Sequence, residues 1–171
     1  MSLLIGSLII GLILSLLALG IFISFRIFNF ADITAEGSFT FGAATAAALI
    51  VAGVNPLLAS VVAFLAGMLA GTLTGIIHTR FKINPLLSGI LVMTALYSVN
   101  LHVMGRSNIP MLSETTVFTW IENFAIRISG AGARTNFLGW EIASKDLWVL
   151  LFCLVAIVSF CIVLWWFFKT N

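Results

Sequence analysis

The chain has 171 residues, of which 61% are hydrophobic and 8% charged, with a formal net charge of +2 and a mean hydropathy of +1.20. A soluble domain is typically about one quarter charged, so a water-soluble globular fold is excluded, and so small a net charge leaves no electrostatic footprint for nucleic acid. The stretches 1–25, 54–77 and 147–168 hold no Asp, Glu, Lys or Arg, and each exceeds the roughly 20 residues that cross ~30 Å of hydrocarbon. The expected fold is therefore all-α, a polytopic integral membrane helix bundle of about five transmembrane helices.

The first predicted span, Leu3–Phe25, is preceded by no positive n-region, so it reads as a retained helix rather than a cleaved signal peptide. Asn29-Phe30-Ala31-Asp32-Ile33-Thr34-Ala35-Glu36-Gly37-Ser38 follows. It is too apolar for an ordinary loop and too charged for a lipid-facing helix, which predicts a broken-helix element at membrane depth, buried in protein or lining a cavity. Asp32 and Glu36 are spaced to share one helical face or to flank the break. Two roles are open to them: facing a water-filled path, because a bilayer-centre charge costs at least ~2.5 kcal/mol, or capping the N-terminus of the next helix.

The second span, Phe39–Val54, is short. Asn55-Pro56 and Asn84-Pro85 punctuate the chain before the third span, Leu57–Ile77, and the fourth, Leu86–Met104, since proline suits a first helical turn and disfavours helix in the residue before it. The third span carries Ala59, Ala63, Gly67, Gly71 and Gly75 at intervals of four, a small-residue strip suited to close backbone packing. In the fourth, Thr94, Tyr97, Ser98 and His102 form a polar stripe that fits either a lined path or inter-helix hydrogen bonds.

The long connection Gly105–Asp146 holds Arg106, Glu114, Glu122, Arg127, Arg134, Glu141, Lys145 and Asp146, more than half of the charged residues. Within it Val117, Trp120, Ile121, Phe124 and Ile128 recur at helical spacing, which fits an interfacial amphipathic helix as well as a solvated loop. Ser129-Gly130-Ala131-Gly132-Ala133 would break such a helix. The last span is Leu147–Phe168, whose Cys153 and Cys161 lie too far apart to bridge and read as small apolar residues. Basic density in the short loops, at Arg26, at His78, Arg80 and Lys82, and at Lys169, places these inside and the N-terminus and Gly105–Asp146 outside.

No catalytic constellation, phosphate-cradling glycine loop, paired-cysteine motif or metal-spaced histidine pair occurs. His78 and His102 read as anchor or helix-end residues. No cofactor, metal site or enzyme activity is expected, and a membrane protein of this kind moves or holds something.

Two blocks, RIFNFADITAEGSFTFGA at Arg26–Ala43 and HTRFKINPLLSGILVMTALYSVNLHVMGRSN at His78–Asn108, resemble the permease subunits of ABC-type importers in the branched-chain amino acid permease superfamily. More narrowly, they resemble the branch that imports aromatic amino acids or related small solutes. The resemblance implies a bacterial plasma-membrane permease subunit for a small amino-acid-like solute, surrounded by membrane lipid. Its implied partners are an ABC ATPase subunit, an extracytoplasmic solute-binding protein and a second permease subunit, as a homodimer. The family's asparagine-phenylalanine-alanine element matches Asn29, Phe30 and Ala31, and its acidic residue and glycine–serine pair match Asp32, Gly37 and Ser38. The expected translocation pathway comprises Asn29, Asp32, Glu36, Ser38, Thr94, Tyr97 and Ser98. Family members look longer, continuing through a cytoplasmic coupling segment where this chain has Phe168-Lys169-Thr170-Asn171, so residues 1–171 read as the N-terminal part of a permease domain. The alternative is a non-transporting structural or assembly bundle derived from such a permease.

Overall fold

The computed structural model describes residues 2–27, 29, 32–129, 134–137 and 140–169. Helix α1, Ser2–Phe22, runs on through a π-helical turn at Ile23–Ile27. The remaining elements are α2 (Thr34–Val51), α3 (Pro56–Phe81), α4 (Pro85–Met104), α5 (Val117–Ser129), β1 (Arg134–Phe137), β2 (Trp140–Ala143) and α6 (Ser144–Lys169). Five stretches are long and apolar enough to cross a membrane: Leu3–Arg26, Thr34–Val51, Pro56–Phe81, Pro85–Met104 and Ser144–Lys169. These correspond to the five expected spans.

Helix boundaries follow from local chemistry. Asn55 and Asn84 are N-caps whose side-chain oxygens accept from the amides of Leu57 and Leu86, at 3.0 and 2.9 Å, and each is followed by proline at the first helical position. Each cap satisfies one amide that the helix itself leaves orphaned. Helix α3 ends on Lys82 and α4 on Gly105, both in the left-handed region, and His78 Nδ1 donates to the Ile83 carbonyl at 2.7 Å across the first of these ends. His78 is thus a helix-end residue.

The chain divides into two compact units, Leu17–Thr116, and Met1–Leu16 with Val117–Asn171. In the first, α2 packs on both α3 and α4, which also touch each other. Its buried positions are mostly small: Thr34, Gly37 and Ala44 on α2, Pro56, Ala59, Ala66, Ala70 and Thr74 on α3, and Ser88, Gly89 and Val92 on α4, where Leu96 and Asn100 are the larger exceptions. Large side chains such as Phe64, Leu69 and Phe81 stay exposed. This inversion of the water-soluble pattern is what a lipid solvent dictates, because tails as apolar as leucine give no reward for burying leucine, and helices associate by backbone proximity and van der Waals fit. Crossing points are correspondingly tight: a Cβ on Gly37 would lie 3.1 Å from Met93 Cα, and one on Gly42 would lie 3.2 Å from the Ala63 carbonyl oxygen. A small cluster of Ala70, Val92 and Leu96, with Phe41 and Ile77 against it, fills the centre.

In the second unit α5 packs on α6, with Ala125, Val149 and Cys153 buried and Lys145 Nζ 3.5 Å from Glu122 Oε2. The connection thus contains a helix rather than only loop, together with a two-stranded antiparallel hairpin pairing Arg134 with Ala143 and Phe137 with Trp140. The glycine-rich break at 130–133 lies outside the described residues. At the end of α6, Lys169 Nζ sits 4.5 Å from the centre of the Trp165 ring, a cation–π pair of the kind that anchors helix ends at a membrane interface.

Candidate functional site

The broken-helix element precedes α2. Helix α2 starts at Thr34, five residues before the expected start, so the second half of the polar stretch is helical and the break lies in the residues before it. Asn29 adopts φ 51°, a left-handed conformation that asparagine tolerates better than most residues. Phe30 and Ala31 lie outside the described residues. Asp32 is half-buried, and its Oδ1 accepts from the Thr34 amide at 2.8 Å. The carboxylate therefore satisfies one orphaned amide of α2 and places negative charge at the positive end of the helix dipole.

Thr34 is what fixes that start in three dimensions. It is 1% exposed, and its hydroxyl lies 2.7 Å from that of Thr74 on α3. On α4, Gly89 leaves room for the turn: a Cβ there would sit 3.2 Å from the Ile33 amide nitrogen and 3.3 Å from Thr34 Oγ1. Sequence reasoning did not single out Thr34 or Thr74, because a buried threonine pair 40 positions apart leaves no periodic signal.

Beyond this junction α2 and α4 line a cavity of about 560 Å³. Glu36, Thr40, Ala43 and Ala47 line it from α2, and Met93, Tyr97, Asn100 and Met104 from α4, each set at helical spacing, with Ser107 and Asn108 after α4. Thr40 Oγ1 donates to the Gly37 and Glu36 carbonyls at 2.9 and 3.1 Å, leaving lone pairs that accept from Asn100 Nδ2 at 3.4 Å. Asn100 Oδ1 is buried without a hydrogen-bond partner.

Of the expected pathway residues, Glu36 and Tyr97 line this cavity. Asn29 and Asp32 belong to the break. Ser38 donates to Ala35 O at 3.0 Å, and Thr94 donates to the Ile90 and Leu91 carbonyls. Ser38, Thr94 and Ser98 are not among the cavity-lining residues. The polar line facing the cavity on α4 runs through Tyr97 and Asn100 rather than through Thr94 and Ser98. Asn100 carried a signal that sequence reasoning passed over, a side-chain amide within an apolar span at the interval of three from Tyr97.

The small-residue strip is divided as well. Ala59 is buried, Ala63 and Gly67 are half-buried against α2, and a Cβ on Gly71 or Gly75 would meet nothing within 4 Å. The buried line of α3 passes instead through Ala59, Ala66, Ala70 and Thr74. A strict interval of four turns the strip by about 40° per step at 3.6 residues per turn, so it leaves a straight contact line.

The chain is 50% identical over 108 residues to the tyrosine transport system permease protein of Clostridioides difficile (strain R20291), covering 63% of this chain and 37% of that one. It is 37% identical over 122 residues to an uncharacterized protein of Rickettsia prowazekii (strain Madrid E), covering 71% of this chain and 43% of the relative. These matches thus span less than half the length of either relative. No solved structure matches it. Residues 3–171 match the family described as the permease component of the branched-chain amino acid transport system, and the chain belongs to that family.

Proposed function

We propose that the chain acts as a permease subunit of an ATP-driven importer, moving a small amino-acid-like solute across the plasma membrane through a path that includes the cavity between α2 and α4. The observation that carries this reading is the 50% identity to a tyrosine transport system permease protein. A partly polar cavity beside the start of α2, lined by Glu36, Thr40, Tyr97 and Asn100, supports this reading. Glu36 and Tyr97 are the pathway residues in the cavity wall, and Asn29 and Asp32 shape the break from which α2 departs.

The driving energy comes from a separate ABC ATPase, a reading supported by the family's description as the permease component of a transport system. An extracytoplasmic binding protein delivers the solute, and a second copy of the permease completes the path. Coupling then requires that partner contacts differ between two states of the permease, since only a difference in contact energy shifts such an equilibrium. Deleting the gene in its host and measuring uptake of labelled tyrosine tests the reading. Loss of ATP-dependent uptake, restored by the gene, is the expected result. Unchanged uptake of tyrosine and of related aromatic and branched-chain amino acids would contradict it.

A further inference from the structure

The cavity between α2 and α4 has an asymmetry of charge that the transport reading does not explain. Among its lining residues Glu36 is the one that carries a charge. Among the described residues, Lys145 and Glu122 form an ion pair, whereas the Glu36 side chain forms none. Glu36 is exposed in the first turn of α2, where the helix dipole favours a carboxylate, so its negative charge is open to a ligand in the cavity. The second unusual group is Asn100, 8% exposed, whose Oδ1 lacks a partner.

The hydrogen-bond wiring assigns that orientation. The Thr40 hydroxyl proton is committed to carbonyls of its own helix, so Thr40 Oγ1 can only accept, and the Asn100 amide turns its nitrogen towards it. The oxygen is left over, and an unmet buried acceptor is unfavourable. Oδ1 is itself shielded, but the long 3.4 Å bond to Thr40 and the broad torsion of a terminal amide let it rotate towards a donor. Tyr97, 68% exposed, adds an aromatic ring to the same wall.

A carboxylate, a carbonyl-type acceptor and an aromatic ring are the groups that meet a cation bearing N–H donors. The volume of about 560 Å³ lies within the range of small-molecule sites. We infer that the cavity binds the ammonium group of a small organic solute, with Glu36 as its counter-charge, Asn100 Oδ1 as a hydrogen-bond acceptor and the Tyr97 ring as an apolar and cation–π face. This assignment rests on the reading of the cavity as a solute path and names the chemistry that the path selects.

Phenethylamine, 2-phenylethanol and phenylacetate have closely similar shapes and are cationic, neutral and anionic, so they separate charge from fit. Equilibrium dialysis of each against the full chain in lipid nanodiscs gives the test. The amine is expected to bind roughly tenfold tighter than the alcohol, with the carboxylate not retained. Glu36→Gln should erase the preference of amine over alcohol while Glu36→Asp keeps it, and Asn100→Leu should weaken both donor ligands alike. Equal retention of all three ligands, retention of none, or an amine preference unchanged in Glu36→Gln would overturn the assignment. Binding in nanodiscs needs no ATPase, so loss of the amine preference with tyrosine uptake intact removes the site and leaves the transport reading. Absence of uptake with amine preference intact does the reverse.

Discussion

Two hydroxyls decide how α2 begins. Thr34 and Thr74 are each 1% exposed and bonded to one another at 2.7 Å. Thr74→Val keeps the volume but strands Thr34 Oγ1, so stability in detergent should fall by about 1 kcal/mol, within the range for hydrogen bonds between membrane helices. The Thr34→Val/Thr74→Val pair should cost less than the sum of the two single changes, because the second change removes a group already stranded. A thermal unfolding series would check both, and additive losses would show that the bond contributes nothing. Asp32 and Glu36 illustrate what spacing alone leaves open. They are one helical turn apart in sequence, yet Asp32 caps α2 while Glu36 lines the cavity. The difference arises because helix begins between them, at Thr34, and that start depends on residues 40 and 55 positions away, Thr74 and Gly89.

Among whole elements, legibility divides along the same line. The apolar runs gave five spans directly, since in hydrocarbon a helix must satisfy its own backbone and only length and polarity matter. The Asn-Pro pairs gave the starts of α3 and α4, because capping is local chemistry. Asn84→Ala should therefore destabilise by about 1 kcal/mol through loss of the cap to Leu86. Circular dichroism melts of the purified chain would measure it, with Asn84→Ser expected to restore most of the loss. Which face of a helix meets its neighbour was not legible, for it depends on packing partners. A Cβ added at Gly71 or Gly75 would meet nothing within 4 Å among the described residues. Gly37, which periodicity did not mark as a packing position, lies against the backbone of Met93. Gly37→Ala should cost about 1–3 kcal/mol by forcing α2 from α4, whereas Gly71→Ala should be neutral or slightly stabilising in the same melts.

For the molecule as a whole, orientation and path are linked. With the N-terminus outside, Arg80 faces the cytoplasm and Leu112 the outside. Single cysteines at these positions, in a background lacking Cys153 and Cys161, should react with an impermeant maleimide in intact cells at 112 and not at 80. The reverse pattern would invert the assignment. The central claim is that the cavity between α2 and α4 is the route of an amino-acid-like solute. Ala43 is exposed on its α2 wall, while Leu69 on α3 is exposed outside its lining. The most direct measurement compares tyrosine uptake in cells carrying Ala43→Trp with uptake in cells carrying Leu69→Trp, at matched amounts of protein in the membrane. The indole at 43 is expected to fill the cavity and abolish uptake, while that at 69 leaves it close to the unsubstituted rate. Undiminished uptake with tryptophan at 43 would contradict the central claim.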